Sequence, residues 1–147
     1  MTKATMHFDG GARPQSGLAG FGFVLRVNDD DQLGLLEGNA VLNRTCNEAE
    51  YMGCIAGLAA ALSAGVTTLR VYGDSKLVIN QVAGRWKLKA DNLRPLYRIA
   101  RRLAASFRRA TFKHIPRDNN GEADGLVNDA MDSLERELEN KYAKSSR

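Results

Sequence analysis

The sequence has no apolar run that could cross a membrane. Its longest stretch without charge, Tyr51 to Leu69, is broken by Gly, Ser and Thr. The N-terminus lacks the basic, apolar and cleavage-site pattern of a leader, so a cytoplasmic protein is expected. Cysteine is scarce. Cys46 and Cys54 have no metal-knuckle spacing, and on one helix they would stand about 12 Å apart, too far for a disulfide. Two small packing residues in a reducing compartment are expected. There is one tryptophan, no internal repeat and no long linker. Acid is nearly absent between Arg85 and Lys113, which holds ten basic residues and only Asp91 against them. That segment is +9, so the rest of the chain is −5. A basic segment on an acidic body points to a polyanionic partner.

What is present is a single domain's worth of chain, 147 residues with 44% hydrophobic content. Residues 4–8, "ATMHF", alternate as a strand does, and the alternation stops at Asp9, before Gly10 and Gly11. The stretch 11–20 reads as a glycine-rich connection, 20–27 as a strand, 28–32 as a turn and 33–42 as a third strand. Thr45 and Glu48 have the spacing of a capping box, opening a helix that carries no charge after Glu50 and that Gly65 stops. Residues 67–74 read as a strand, 75–84 as a short helix, and 91–107 as a longer one. The apolar stripe of that longer helix runs from Leu93 to Phe107, with Arg94, Arg98, Arg101 and Arg102 on the other face. Residues 110–115 read as a fifth strand, "PRDNNG" as a loop, and the remainder as a helix fraying into a polar tail.

This order predicts an α/β fold built on a five-stranded mixed sheet. Strands 1–3 form an antiparallel meander, and strands 4 and 5 return by helical crossovers parallel to strand 1, with helices on both faces. The directions gather Asp9, Asp74, an acid of the first helix (Glu50, with Glu48 as competitor) and Asp124 (with Asp118, Glu122 and Asp129 as competitors) at one edge. That edge lies beyond the carboxyl ends of the parallel strands, where such sheets bind ligands. Carboxylates packed together need divalent cations, and an all-oxygen set points to Mg²⁺ or Mn²⁺. Two ions about 4 Å apart would clamp the attacking and leaving oxygens of a phosphodiester. Gly10 and Gly11 would let a phosphate backbone approach beside Asp9.

The segments "DGGARPQSGLAGFG", "TCNEAEY", "YGDSKLVINQ" and "IPRDNNGEADGLVNDA" resemble the type 1 ribonuclease H family, in its compact archaeal-like and actinobacterial-like branch. The resemblance covers residues 4–131. It implies a ribonuclease H-like fold and hydrolysis of the RNA strand of RNA–DNA hybrids with two Mg²⁺ or Mn²⁺ ions. Products would carry 5′-phosphate and 3′-hydroxyl ends, and the cellular role would be primer removal or R-loop clearance. It implies Asp9, Glu50, Asp74 and Asp124 as the catalytic metal ligands, with Arg117 where many members carry a mobile loop histidine. Substrate contacts would come from Gly10, Gly11, Gln15, Thr45, Cys46, Asn47 and Lys76. Cys46 stands for a family Asn and Lys76 for a Gln. The basic protrusion of some members is reduced to residues 84–90, where Trp86 is read as core, and His114 is read as a packing residue. Residues 1–134 would be the catalytic domain and 135–147 a polar helix end or tail, with no obligate protein partner. RNA duplexes stay open as a second substrate. A non-catalytic nucleic-acid-binding module would carry a broken acid set, whereas this set is complete.

Overall fold

The computed structural model of the chain describes residues 2–28 and 30–145, with the side chains of residues 31–33 left aside. Five strands, β1 (Lys3–Arg13), β2 (Leu18–Val27), β3 (Asp30–Leu42), β4 (Thr68–Gly73) and β5 (Arg109–His114), form one sheet in the order β3-β2-β1-β4-β5. The first three strands pair antiparallel, while β4 pairs parallel to both β1 and β5. The helices are α1 (Cys46–Ser63), α2 (Lys76–Val82), α3 (Arg94–Ala105) and α4 (Gly121–Ser145). Helices α1 and α3 pack together on one face, and α4 lies on the other against β1, β2 and β3. None of the described helices is long and apolar enough to cross a membrane.

The main core lies between the sheet and α1. Alternate residues Ala4, Met6 and Phe8 of β1 meet Tyr51, Cys54 and Leu58 of α1, all buried. Each large side chain removed from water there stabilises the fold by roughly 1.5–3 kcal/mol. Leu93, Ala100 and Phe107, from the apolar stripe of 91–107, join the same core. The capping box forms as spaced: Glu48 N donates to Thr45 Oγ1 at 3.1 Å, and Thr45 N donates to Glu48 Oε1 at 3.0 Å. Glu48 is therefore committed to the helix end, and its pKa is held down by the Thr45 backbone N–H. Cys46 and Cys54 are both free thiols.

Strand β1 corrects the sequence reading. It does not end at Asp9 but continues through Gly10 and Gly11 to Arg13, paired throughout with β2 as far as Arg13↔Leu18. The connection to β2 is only the turn 14–17. Arg13 is pinned to α4 by Asp132 at 2.8 Å and Glu135 at 3.1 Å. The alternation fades in sequence because helices fill the places of the missing side chains. A Cβ on Gly10 would lie 2.3 Å from Ala49 C and Glu50 N, inside the backbone of α1. One on Gly11 would face Met131 and Val127 of α4. The first of these glycines is thus required by helix packing, and phosphate access is not what excludes a side chain there.

Smaller differences follow the same logic. The turn before β3 is tighter than 28–32, since β3 begins at Asp30. Acidic residues are tolerated there because β3 is an edge strand; Asp29 lies outside the described residues. The stretch 91–107 splits into a 3₁₀ turn over Asp91–Leu93 and α3, with Pro95 in the first turn of the helix. The "PRDNNG" loop contains a 3₁₀ turn, Arg117–Asn120, running directly into α4. Helix α4 continues to Ser145; residues 146 and 147 are outside the described part of the tail.

Candidate active site

Four carboxylates meet at one edge, each supplied by a different element. Asp9 is on central strand β1, Asp74 follows β4, Glu50 is in the second turn of α1 and Asp124 in the first turn of α4. Oxygens of Asp9, Glu50 and Asp74 lie within 4.8 Å of one another. Asp124 shares a hydrogen bond with Asp9. All four line a cleft of about 390 Å³, together with Gly10, Gly11, Cys46 and Arg117. The Gly10 contact makes this possible, and Gly53 of α1 completes it: a Cβ there would lie 2.4 Å from Asp9 O. Strand and helix touch backbone to backbone, so Glu50 arrives beside Asp9.

The electrostatics are severe. Asp9 and Glu50 are 4% and 7% exposed. At such separations two unit charges repel by about 3–4 kcal/mol at an effective dielectric near 20. Burial, then Asp74, then the hydrogen bond with Asp124 push the Asp9 pKa to about 8. Burial, then Asp9 and Asp74, push Glu50 to about 9, against the pull of Gly10 N–H and Arg117. Burial and the neighbouring Glu50 also raise the Cys46 thiol, keeping it protonated. The N-termini of α1 and α4 face the cluster and favour negative charge there.

Glu50 Oε2 and Asp74 Oδ2 are buried with no hydrogen-bond partner. Buried carboxylate oxygens without partners are costly. A hard, all-oxygen set of this kind fits a divalent cation such as Mg²⁺ or Mn²⁺.

Residues 7–130 match the sequence model of a family described as reverse transcriptase-like. The bifunctional protein Rv2228c of Mycobacterium tuberculosis is 44% identical over 131 residues, covering 89% of this chain and 36% of that protein. Its N-terminal RNase H domain, solved as a fusion with maltose-binding protein, superposes with a TM-score of 0.87 at 42% identity, covering 94% of this chain and 99% of that one. Ribonuclease HI of Halobacterium salinarum is 37% identical over 86% of this chain and 63% of its own length. The RNase H1 structure from that archaeon superposes with a TM-score of 0.83 at 35% identity, covering 89% of this chain and 98% of that one. The chain belongs to the type 1 ribonuclease H family. It spans about a third of the mycobacterial relative's length and under two thirds of the halobacterial one's. A further family structure, LC11-RNase H1, was solved in complex with an RNA/DNA hybrid. It superposes with a TM-score of 0.79 at 30% identity, covering 89% of this chain and 98% of that one.

The other residues singled out in this ribonuclease H sequence scatter around the cleft. Cys46 and Arg117 line it. Asn47, one residue on, lines a neighbouring groove of about 600 Å³ with Leu77, Arg85, Trp86, Lys87 and Lys89. Thr45 spends its hydroxyl on the α1 cap. Gln15 is exposed in the turn after β1, and Lys76 is exposed at the start of α2; neither is among the residues lining the acid cleft. Trp86 is not core, being 47% exposed in the groove beside Asn47.

Two residues support the acids in ways the sequence did not announce. Asn120 is 1% exposed, and its Nδ2 donates to Phe8 O at 2.8 Å, tying the start of α4 to β1 beside Asp9. Its position four residues before Asp124 is the only sequence signal. His114, read as a packing residue, is half-buried at the end of β5, with Nε2 3.2 Å from Asp74 O. It therefore braces the backbone that carries Asp74.

Proposed function

We propose that the chain is an endoribonuclease that hydrolyses the RNA strand of RNA–DNA hybrids, leaving 5′-phosphate and 3′-hydroxyl ends. The observation that carries this reading is the buried carboxylate cluster with its two unpartnered oxygens. Asp9, Glu50, Asp74 and Asp124 would hold two Mg²⁺ or Mn²⁺ ions. When bound, such ions supply the positive charge that activates water and stabilises the leaving oxygen. Glu50, with a free oxygen, accepts a hydrogen bond from the attacking water or the RNA 2′-hydroxyl. Water adds to phosphorus in line as the bond to the 3′-oxygen breaks. Arg117, on the cleft wall, offsets negative charge while product leaves.

The hybrid would cross the first turn of α1. Its RNA strand would enter the acid cleft past Cys46, Gly10 and Gly11, and its DNA strand would follow the groove of Asn47, Trp86 and the nearby lysines. Gln15, Thr45 and Lys76 would meet phosphates at the margins. Contacts of this kind position a duplex without reading sequence, and 2′-hydroxyls distinguish RNA from DNA. The acids all come from one chain, which supports a site needing no protein partner. Residues 1–134 would form the catalytic unit and 135–147 a polar helix end or tail. Two free thiols suit a reducing cytoplasm, where primer removal or R-loop clearance would be the role.

The test is cleavage of end-labelled duplexes side by side. RNA–DNA hybrid is expected to be cut in Mg²⁺ or Mn²⁺ and left intact in EDTA, with RNA–RNA duplex cut more than about tenfold slower. Cleavage unaffected by EDTA, or DNA–DNA cut as fast as hybrid, would overturn the reading.

A further inference from the structure

Helix α4 covers only half of its side of the sheet. It packs on β1, β2 and β3 and makes no comparable contact with β4 or β5. Alternation fixes what that leaves open. Leu69 and Val71 of β4 are buried, so Arg70 and Tyr72 point to the uncovered side. Ala110 and Phe112 of β5 pack on the core, so Arg109 and Lys113 point away from it. The register then stacks three rows across β1, β4 and β5. The first row holds Lys3 and Arg109, the second Arg70, and the third His7, Tyr72 and Lys113, with threonine at the remaining places.

The three rows carry four cations and no carboxylate, and the acid nearest them, Glu122 at the His7 end, is paired with Arg26 of β2 at 2.7 Å. None of the four is in an ion pair among the described residues. The cations are staggered diagonally, about 7–8 Å apart from one row to the next. In the last row the His7 and Tyr72 rings stack, with centroids 5.1 Å apart and planes at 24°. That row lies two residues before both Asp9 and Asp74, so the face runs straight into the catalytic edge. Lysine and arginine on β5 also keep an edge strand from pairing with another chain. That duty does not call for a stacked ring pair on inner strands, nor for Arg70 on β4.

We propose that this open half-sheet is a second nucleic-acid contact that takes a single-stranded segment. Its phosphates lie on Lys3, Arg70, Arg109 and Lys113, and a base lies against the His7–Tyr72 pair. A cationic surface with an aromatic platform binds single strands without sequence preference. Only the origin of that strand, as an extension running off a bound hybrid, rests on the catalytic reading above.

The test uses the full chain in EDTA and a fluorescent oligothymidylate of about 12 nucleotides. Arg70→Gln with Lys113→Gln, both at exposed positions, is expected to weaken binding at least about tenfold and to flatten the salt dependence by about 1.4 log units per log unit. Cleavage of a short blunt hybrid is expected to stay within about twofold of wild type. Thermal melting of the double variant checks its fold. Unchanged oligonucleotide binding would overturn the proposal. So would an equal loss on the blunt hybrid, which would make this face part of the hybrid site. A wild-type protein that cuts no hybrid would sink the catalytic reading alone, and the oligonucleotide measurement would still decide this one.

Discussion

Asp9→Asn is expected to lose hybrid cleavage by about 10³-fold or more, yet to melt higher than wild type in EDTA at neutral pH. The two effects have one cause. Asp9 is the centre of the cluster, between Asp74, Asp124 and Glu50, and its charge is wanted only when cations are there to meet it. Its pKa is raised to about 8 and that of Glu50 to about 9. Between the ordinary carboxylate range and those values, the folded protein binds more protons than the unfolded one. Stability without metal must therefore fall as pH rises through that window, and the loss is complete above about 9. An amide at position 9 keeps the shape, cannot ionise and relieves Glu50 as well. At pH 7–8 the gain is expected to be about 3–6 °C, shrinking towards pH 4. Differential scanning fluorimetry in EDTA across that range reads it directly. A variant that melts lower than wild type at every pH would show that Asp9 is held by bonds outweighing the repulsion.

Gly10→Ala is expected to be the most damaging single methyl group that can be added near the site. Its Cβ would sit 2.3 Å from two backbone atoms of α1, and backbone cannot swing aside as a side chain can. Either α1 lifts from β1 or the strand twists. Overpacking of a well-filled core costs about 1–3 kcal/mol, and a clash with helix backbone belongs at or above the top of that range. Melting is expected to fall by about 10 °C. Any lift of α1 also carries Glu50 away from Asp9, so residual activity is expected to drop by about 10²-fold. Gly11→Ala is the control. Its Cβ would meet Met131 Cε at 3.7 Å and Val127 Cγ1 at 3.8 Å, ordinary contacts, and its melting temperature is expected to stay near wild type. Equal damage from both substitutions would remove the helix-contact explanation.

The contrast between these glycines shows where the sequence was legible. Strand directions bring Asp9, Asp74 and the starts of α1 and α4 to one edge, because a parallel strand that returns by a helix must end where its neighbour ends. Asp124 was singled out from Asp118, Glu122 and Asp129 only by the family resemblance. The capping-box spacing of Thr45 and Glu48 set the start of α1, leaving Glu50 for the site. The extent of β1 was not legible. Its last third displays glycines to α1 and α4, and side-chain alternation cannot report a strand whose partners are helix backbones. Trp86 misled for a related reason: an aromatic residue suggests a core, and only the fold reveals the groove beside Asn47. Asn120 and His114 act through backbone carbonyls of Phe8 and Asp74, contacts that join segments far apart in the chain and leave no local pattern.

Calorimetric titration of Mn²⁺ into the wild-type protein at pH 7, in two buffers of different ionisation enthalpy, tests the central claim most directly. Ligand carboxylates must shed their protons to bind a cation. With Asp9 and Glu50 both titrating above neutrality, about one to two protons should leave per protein, and Asp9→Asn should bind weakly and release fewer. Mn²⁺ uptake with no proton released, or uptake of equal strength by Asp9→Asn, would contradict a cluster whose charge is held in check until cations arrive.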